Sequence, residues 1–198
     1  MNREERLALR ESLREARRNL SEAEQSAAAQ QLVERVSQQD FFKNASQLAF
    51  YLTIDGEINP RPLLDFALQS GKTCYLPVIS KDNEELLTFS SYDESTELIE
   101  NEWGIFEPPH PEEHISPTNF DVVFVPLVGF DANCFRLGMG KGCYDRTFSF
   151  KIFNRRSQPL LVGLAHDCQL TEPFPTQTWD VRLDAVVTEK KIYRPDTA

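Results

Sequence analysis

Basic residues are scarce in this 198-residue chain: 21 Lys and Arg stand against 31 Asp and Glu, a net charge of −10. No basic tract occurs beyond the first twenty residues, which argues against nucleic acid or an anionic membrane as a partner. Any anionic ligand must therefore be held by cations placed locally, against the overall field. The four cysteines (Cys74, Cys134, Cys143, Cys168) have neither CxxC nor Cys/His metal spacing, so they read as reduced thiols. No apolar run reaches the ~18 residues of a membrane span. Charged residues, not an apolar stretch, follow Met1, so no signal peptide is expected. Serine–histidine and cysteine–histidine couples for nucleophilic catalysis are not evident. Internal repeats, linkers and low-complexity tracts are missing as well. These absences point to a soluble, cytoplasmic protein; the length of 198 residues suits a single domain over residues 1–198, and a monomer is the expectation although the sequence does not give the oligomeric state. A hydrophobic fraction of 40% is enough for a full core.

What is present alternates between strand and helix signals. Leu9, Leu13, Ala16 and Leu20 form one apolar stripe of a helix over residues 2–20, with Arg6 and Arg10 one turn apart on an adjacent face. Ser21 to Glu24 is a capping box opening a second helix, whose core face is Ala29, Leu32, Val33 and Val36. The expectation is an N-terminal helical hairpin, residues 1–40, packed on the domain. Taken alone, its arginines read as a solvated face and not as a ligand clamp. Residues 47–52 read as a strand, Asn59-Pro60 as the start of a helix that Gly71 stops, and residues 72–79 as the next strand. This predicts a parallel crossover, with Glu57 just past a strand's carboxyl end. Residues 86–92 suit an edge strand, and the acidic, proline-rich stretch 93–118, containing Trp103, suits a loop or lid. Trp103 is either a core plug or a stacking surface. Residues 121–128, 159–165 and 185–189 are further buried strands, and His166 reads as structural. The predicted fold class is α/β: one domain with a mostly parallel open sheet flanked by helices.

The densest chemistry lies between residues 130 and 146. Three of the eight glycines, Gly138, Gly140 and Gly142, alternate here with Met139 and Lys141. They follow Arg136 and Leu137 and precede Cys143, Tyr144 and Asp145, and a helix is expected over residues 144–152. A strand feeding a glycine turn that opens a helix can cradle phosphate with backbone N–H groups, and Arg136 and Lys141 add full positive charge. Asp145 would repel a phosphate unless a cation lay between them. Mg²⁺ suits that position, because it binds through one or two carboxylates together with phosphates and water; Asp180 can supply the second. The pattern is not a Walker A loop, since Gly142 stands where Ser or Thr should follow the lysine, and its glycine spacing is not that of a Rossmann fingerprint. A tight turn with no ligand remains the competing reading of the glycines.

Val125-Pro-Leu-Val-Gly-Phe-Asp131, Arg136-Leu-Gly-Met-Gly-Lys-Gly142 and Tyr144-Asp145-Arg146 resemble the signature of the 5-formyltetrahydrofolate cyclo-ligase family. Arg6-x-x-Leu9-Arg10, Tyr51-Leu52…Glu57, Trp103-Gly-Ile-x-Glu-Pro108 and Asp180-x-x-x-Asp184 extend the resemblance over nearly the whole chain. It implies an ATP- and Mg²⁺-dependent ligase acting on 5-formyltetrahydrofolate. It also implies ATP contacts from Arg6, Arg10 and residues Arg136, Leu137, Gly138, Met139, Gly140, Lys141, Gly142, Cys143 and Tyr144. Leu52, Glu57 and Trp103 would bind the folate, together with Met139 to Cys143 of the same loop. Asp145 and Asp180 would hold Mg²⁺, and Lys141, Arg136 and Asp145 would be catalytic. The family often has an aromatic residue where this chain has Cys143, so ring stacking is not carried over there. From the residues alone, a sugar-phosphate or CoA-thioester enzyme and a nucleotide-sensing module stay open.

Overall fold

The computed structural model describes every residue except 81–82, 102–103, 112–114, 155–157 and 197–198. Trp103 falls among the latter, so its assignment to the substrate lies outside the described residues. The helices are α1 (Arg3–Arg18), α2 (Glu22–Ser37), α3 (Asp40–Lys43), α4 (Arg61–Gln69) and α5 (Cys143–Thr147). The strands begin with β1 (Gln47–Ala49), β2 (Thr73–Ile79) and β3 (Leu87–Tyr92). After these come β4 (Ile99–Glu100), β5 (Phe106–Glu107), β6 (Val122–Pro126), β7 (Gly129–Phe130) and β8 (Arg136–Leu137). The chain closes with β9 (Leu160–Leu164), β10 (Ala185–Val187) and β11 (Ile192–Tyr193).

Seven strands form one sheet in the order β11-β10-β9-β6-β1-β2-β3. The five inner strands are parallel, while β3 and β11 pair antiparallel at the two edges. Both faces are covered. In β6, Val122 and Phe124 join one apolar cluster and Val123 and Val125 the other, so the strand reads as a continuous apolar run. Each such fully buried side chain contributes roughly 1.5–3 kcal/mol of transfer free energy. At Gly163 in β9 the sheet approaches its cover so closely that a Cβ would lie 2.7 Å from both Leu127 Cδ2 and Leu183 Cδ1.

This strand order places the site. From β1 the chain moves to β2 and β3 on one side, then returns to β6 on the other side of β1. The order reverses between β1 and β6, and open α/β sheets bind ligands in the crevice at the carboxyl ends of the strands at such a switch point. The two segments leaving those strands are residues 50–60, which carry Glu57, and residues 127–142, which carry the glycine turn.

Both N-terminal helices and their capping boxes are present: the Asn2 side chain accepts from Glu5 N, and the Ser21 side chain accepts from Glu24 N. They divide their packing. α2 lies on α4 and β10, with Ala28, Leu32 and Val36 in the core. α1 instead covers the 3₁₀ turn Asp167–Gln169 and puts Leu13 into a small cluster with Val128, Leu137 and Phe174. The sequence suggested one helix over residues 144–152, but α5 ends at Thr147 and a 3₁₀ turn spans Ser149–Ile152. Tertiary demands break it: Thr147 Oγ1 accepts from Leu87 N at 3.0 Å, Phe148 is fully buried, and Lys151 Nζ donates to the carbonyl of Pro159 at 2.7 Å. The stretch read as loop or lid carries the β4–β5 hairpin. Among the described residues no helix is long and apolar enough to cross a membrane.

Candidate active site

α1 organises the site through one row of arginines. Arg6 donates to the carbonyl of Pro175 at 2.5 Å, and Arg10 Nε donates to the carbonyl of Gly138 at 2.8 Å. Arg14, Arg17 and Arg18 converge on Asp55, with nitrogen–oxygen distances of 2.7, 3.1 and 2.5 Å. The spacing 6, 10, 14, 17 keeps these residues on one helical face. From Arg6 to Arg17 that face rises about 16 Å, enough to run along three different loops. The arginines that read as solvated in sequence are thus in contact with the glycine turn and with both of its neighbours. Burial and then the like charge of Arg6 pull the Arg10 pKa down, while Asp180 opposes them, which puts all three groups in one neighbourhood.

The glycine turn is built as its spacing suggests, with one difference. Gly140 and Gly142 take φ of +112° and +74°, a region closed to most side chains, whereas Gly138 does not. Gly142 is the N-cap of α5, and the Arg146 side chain folds back onto the carbonyl of Lys141. α5 has only five residues, so anion binding here rests on local N–H groups and the cations and not on a long helix dipole. Lys141 is exposed, and Met139 is 48% exposed. Leu137 is buried beside Leu13, while the Cys143 thiol lies 4.0 Å from the carbonyl of Glu84.

Arg136 is a brace. Its side chain is 5% exposed, its Nη2 lies 2.7 Å from Asp145 Oδ1, and its Nη1 donates to the carbonyl of Val181 at 2.9 Å. Asp145 Oδ1 also accepts from Val181 N at 2.9 Å, so Arg136 and Asp145 together tie the glycine turn to the segment that carries Asp180. Asp180 Oδ2 accepts from Gln177 N at 2.8 Å. Among the described residues, Asp145 Oδ2 and Asp180 Oδ1 carry no hydrogen bond, which leaves each carboxylate one oxygen for a cation. No group of three or more His, Cys, Asp or Glu assembles among the described residues. A hard cation held here would take most of its ligands from phosphate and water, which is how Mg²⁺ is commonly bound.

Glu57 lies in the loop after β1, on the other side of the switch point from the glycine turn. It is 5% exposed; Arg17 Nη1 lies 3.8 Å from its Oε1, and its Oε2 accepts from Ile54 N at 3.3 Å. Burial pushes its pKa up to about 7, against the pull of Arg17 and of the Ile54 N–H. For Asp55, burial is outweighed by hydrogen bonds from Arg18, Arg14 and Arg17, which hold its pKa down at about 2. The phenols of Tyr51 and of Tyr144 in α5 are both raised by burial and then by the charge of Glu57. Tyr51 donates to the carbonyl of Ile58 at 2.9 Å, and Leu52 packs at the edge of the core. His166 is buried, with its pKa lowered to about 4 by burial and then by Arg17; it is neutral and structural at pH 7. The sequence reading missed Arg17 and Asp55. Arg17 lies on the same helical face as Arg6 and Arg10, and that periodicity was the available signal.

An open, mostly parallel sheet with polar loops at its switch point is an architecture of α/β enzymes. Residues 2–189 match the 5-formyltetrahydrofolate cyclo-ligase family. The chain belongs to that family and is an enzyme of the ligase class. It is 38% identical to the Escherichia coli K12 protein named 5-formyltetrahydrofolate cyclo-ligase, over 91% of this chain and 98% of that protein. The Haemophilus influenzae protein of the same name is 36% identical, over 92% and 97% of the two chains. Among solved structures, the 5,10-methenyltetrahydrofolate synthetase of Aquifex aeolicus superposes with a TM-score of 0.82 at 30% identity, covering 98% of this chain and 94% of that one.

Proposed function

We propose that this enzyme converts 5-formyltetrahydrofolate to 5,10-methenyltetrahydrofolate with Mg²⁺ and ATP, releasing ADP and phosphate. The observation that carries the reading is the bond from Arg10 to the carbonyl of Gly138, which sets a cationic helix face against the glycine turn at the switch point. The names of the relatives supply the folate; the cations, the positive-φ glycines and the two carboxylates support a triphosphate with its metal.

A formamide carbonyl is a poor electrophile and its oxygen a poor leaving group. In the proposed reaction that oxygen attacks the γ-phosphorus of ATP, and ADP leaves. N10 of the same folate then closes the ring on the formyl carbon and gives up its proton, and the carbon–oxygen bond breaks with phosphate departing. Because the nucleophiles belong to the substrates, the protein's task is positioning and neutralisation of charge. Lys141 and the N–H groups of Gly140 to Cys143 hold the phosphates, with Arg6 and Arg10 beside them. Asp145 and Asp180 would hold Mg²⁺, which when bound offsets phosphate charge. Glu57 accepts a hydrogen bond from the pterin N–H groups.

The rise in methenyl absorbance tests this directly. We expect it to require ATP, Mg²⁺ and 5-formyltetrahydrofolate together; ATP consumption without the folate, or methenyl formation without ATP, contradicts the proposal. Arg10→Ala is expected to raise the KM for ATP about tenfold, the loss of one charged hydrogen bond, and to change that for folate less. An unchanged KM for ATP would return this helix face to a purely structural role.

A further inference from the structure

We infer that Arg17 is a positioning residue: from inside the protein it fixes the Glu57 carboxylate in the orientation that receives the folate. The inference rests on Glu57 being a folate ligand, and it assigns a role to a residue that never touches substrate.

Arg17 is fully buried, which for an arginine demands that its donors be used. Its Nε donates to the backbone carbonyl of Asp55 at 2.8 Å, its Nη1 to the carbonyl of Leu127 at 3.1 Å, and its Nη2 to Asp55 Oδ2 at 3.1 Å. Arg14 and Arg18 already hold the Asp55 carboxylate from the outside, so the loop would have anchors without Arg17. Arg17 adds two things that they cannot. It ties the loop to Leu127, just past the end of β6 on the path to the glycine turn. It also places a positive charge 3.8 Å from Glu57 Oε1, near enough to favour the carboxylate and too far to take its lone pairs. With Oε2 turned to Ile54 N, Oε1 stays available for an N–H donor of the pterin.

The groups that face Glu57 come from each surrounding element: Arg17 on α1, Asp55 in its own loop, Tyr51 after β1 and Tyr144 on α5. His166, after β9, lies beside Arg17 and is neutral near pH 7. The phenols stay protonated there, because their pKa values are raised. Asp55 is a fixed anion with its own arginines. Arg17 is therefore the charge whose removal changes what Glu57 feels.

Steady-state kinetics and a ligand-free titration of Arg17→Met, Arg17→Lys and Glu57→Gln test the inference. In the wild type, kcat/KM for 5-formyltetrahydrofolate should fall below an acid midpoint near 7, where Glu57 gains its proton. Arg17→Met should move that midpoint to higher pH by about one pH unit, as expected for loss of an opposite charge at this range. It should raise the KM for the folate about tenfold and leave that for ATP within about twofold, in line with one lost polar contact. Arg17→Lys keeps the charge without the fork, so the midpoint stays near its original place while the folate KM rises. Glu57→Gln abolishes the limb. An unmoved midpoint in folded Arg17→Met, or equal rises in both KM values, would overturn the role. If Arg17→Met fails to fold, an unchanged folate KM in Arg17→Lys overturns it. The Glu57 carboxyl carbon, followed by NMR in ¹³C-labelled protein and assigned by its loss in Glu57→Gln, supplies the readout that needs no turnover. A wild type that makes no methenyl product overturns the proposed function. A Glu57 titration identical in wild type and Arg17→Met overturns the role of Arg17.

Discussion

Lys141→Ala should lower kcat/KM for ATP by about 10²–10³, the range seen when one pre-positioned charge or donor is removed from a transition state. Thermal stability should change by at most about 1 kcal/mol, as for other exposed charged side chains. The side chain is exposed between Gly140 and Gly142, and what the backbone contributes, including the carbonyl that receives Arg146, survives truncation. The charge should matter most when the γ-phosphoryl group is between donor and acceptor, so kcat should fall more than ATP affinity does. Single-turnover rates of methenyl formation, set beside nucleotide binding by calorimetry, separate the two. Near-normal turnover by a folded Lys141→Ala protein removes this loop from the chemistry.

Asp145→Ala should be the more damaging change, because it acts on fold and chemistry together. It strips Arg136 of its carboxylate partner at 2.7 Å and Val181 N of its acceptor at 2.9 Å. Arg136 keeps the carbonyl of Val181, and Asp145 is partly solvated, so the stability cost is about 1–3 kcal/mol. Activity should fall below that of Lys141→Ala. Asp145→Asn separates the contributions: its amide oxygen can still accept from Val181 N, while the charge facing the cation is lost. The expected result for Asp145→Asn is a melting temperature close to that of the wild type, with activity lost and partly recovered at high Mg²⁺. Full activity in Asp145→Asn would show that this carboxylate is a structural tie alone.

Much of this arrangement was legible because it is local. The capping box at Ser21, the stop at Gly71 and the apolar runs of β6 and β9 follow from short-range sterics and hydrogen bonding. The glycine alternation from 138 to 142 likewise announces positive φ, found at Gly140 and Gly142. Arg136 shows where local reading stops. In sequence it is one more cation beside the loop, and only the approach of residues 180–182 makes it the partner of Asp145. The break in the predicted 144–152 helix has the same cause, since Thr147, Phe148 and Lys151 answer to contacts distant in sequence.

The sequence by itself determined the α/β class, the parallel crossover, the glycine turn and the family to which the chain belongs. Each of these is written in residues that act on near neighbours, or in a motif long enough to be specific. The tertiary structure decided which charges meet. α1 could have been a solvated helix. It became the spine of the site because Arg6, Arg10 and Arg17 find carbonyls at Pro175, Gly138, Asp55 and Leu127, up to 169 residues away along the chain. Burial then separates two carboxylates that lie only two residues apart: Asp55, with three arginines, is held near pKa 2, while Glu57, buried with Arg17 at 3.8 Å, is raised to about 7. Desolvation and charge pairing act through space, so no reading of neighbours along the chain could have told those two acids apart.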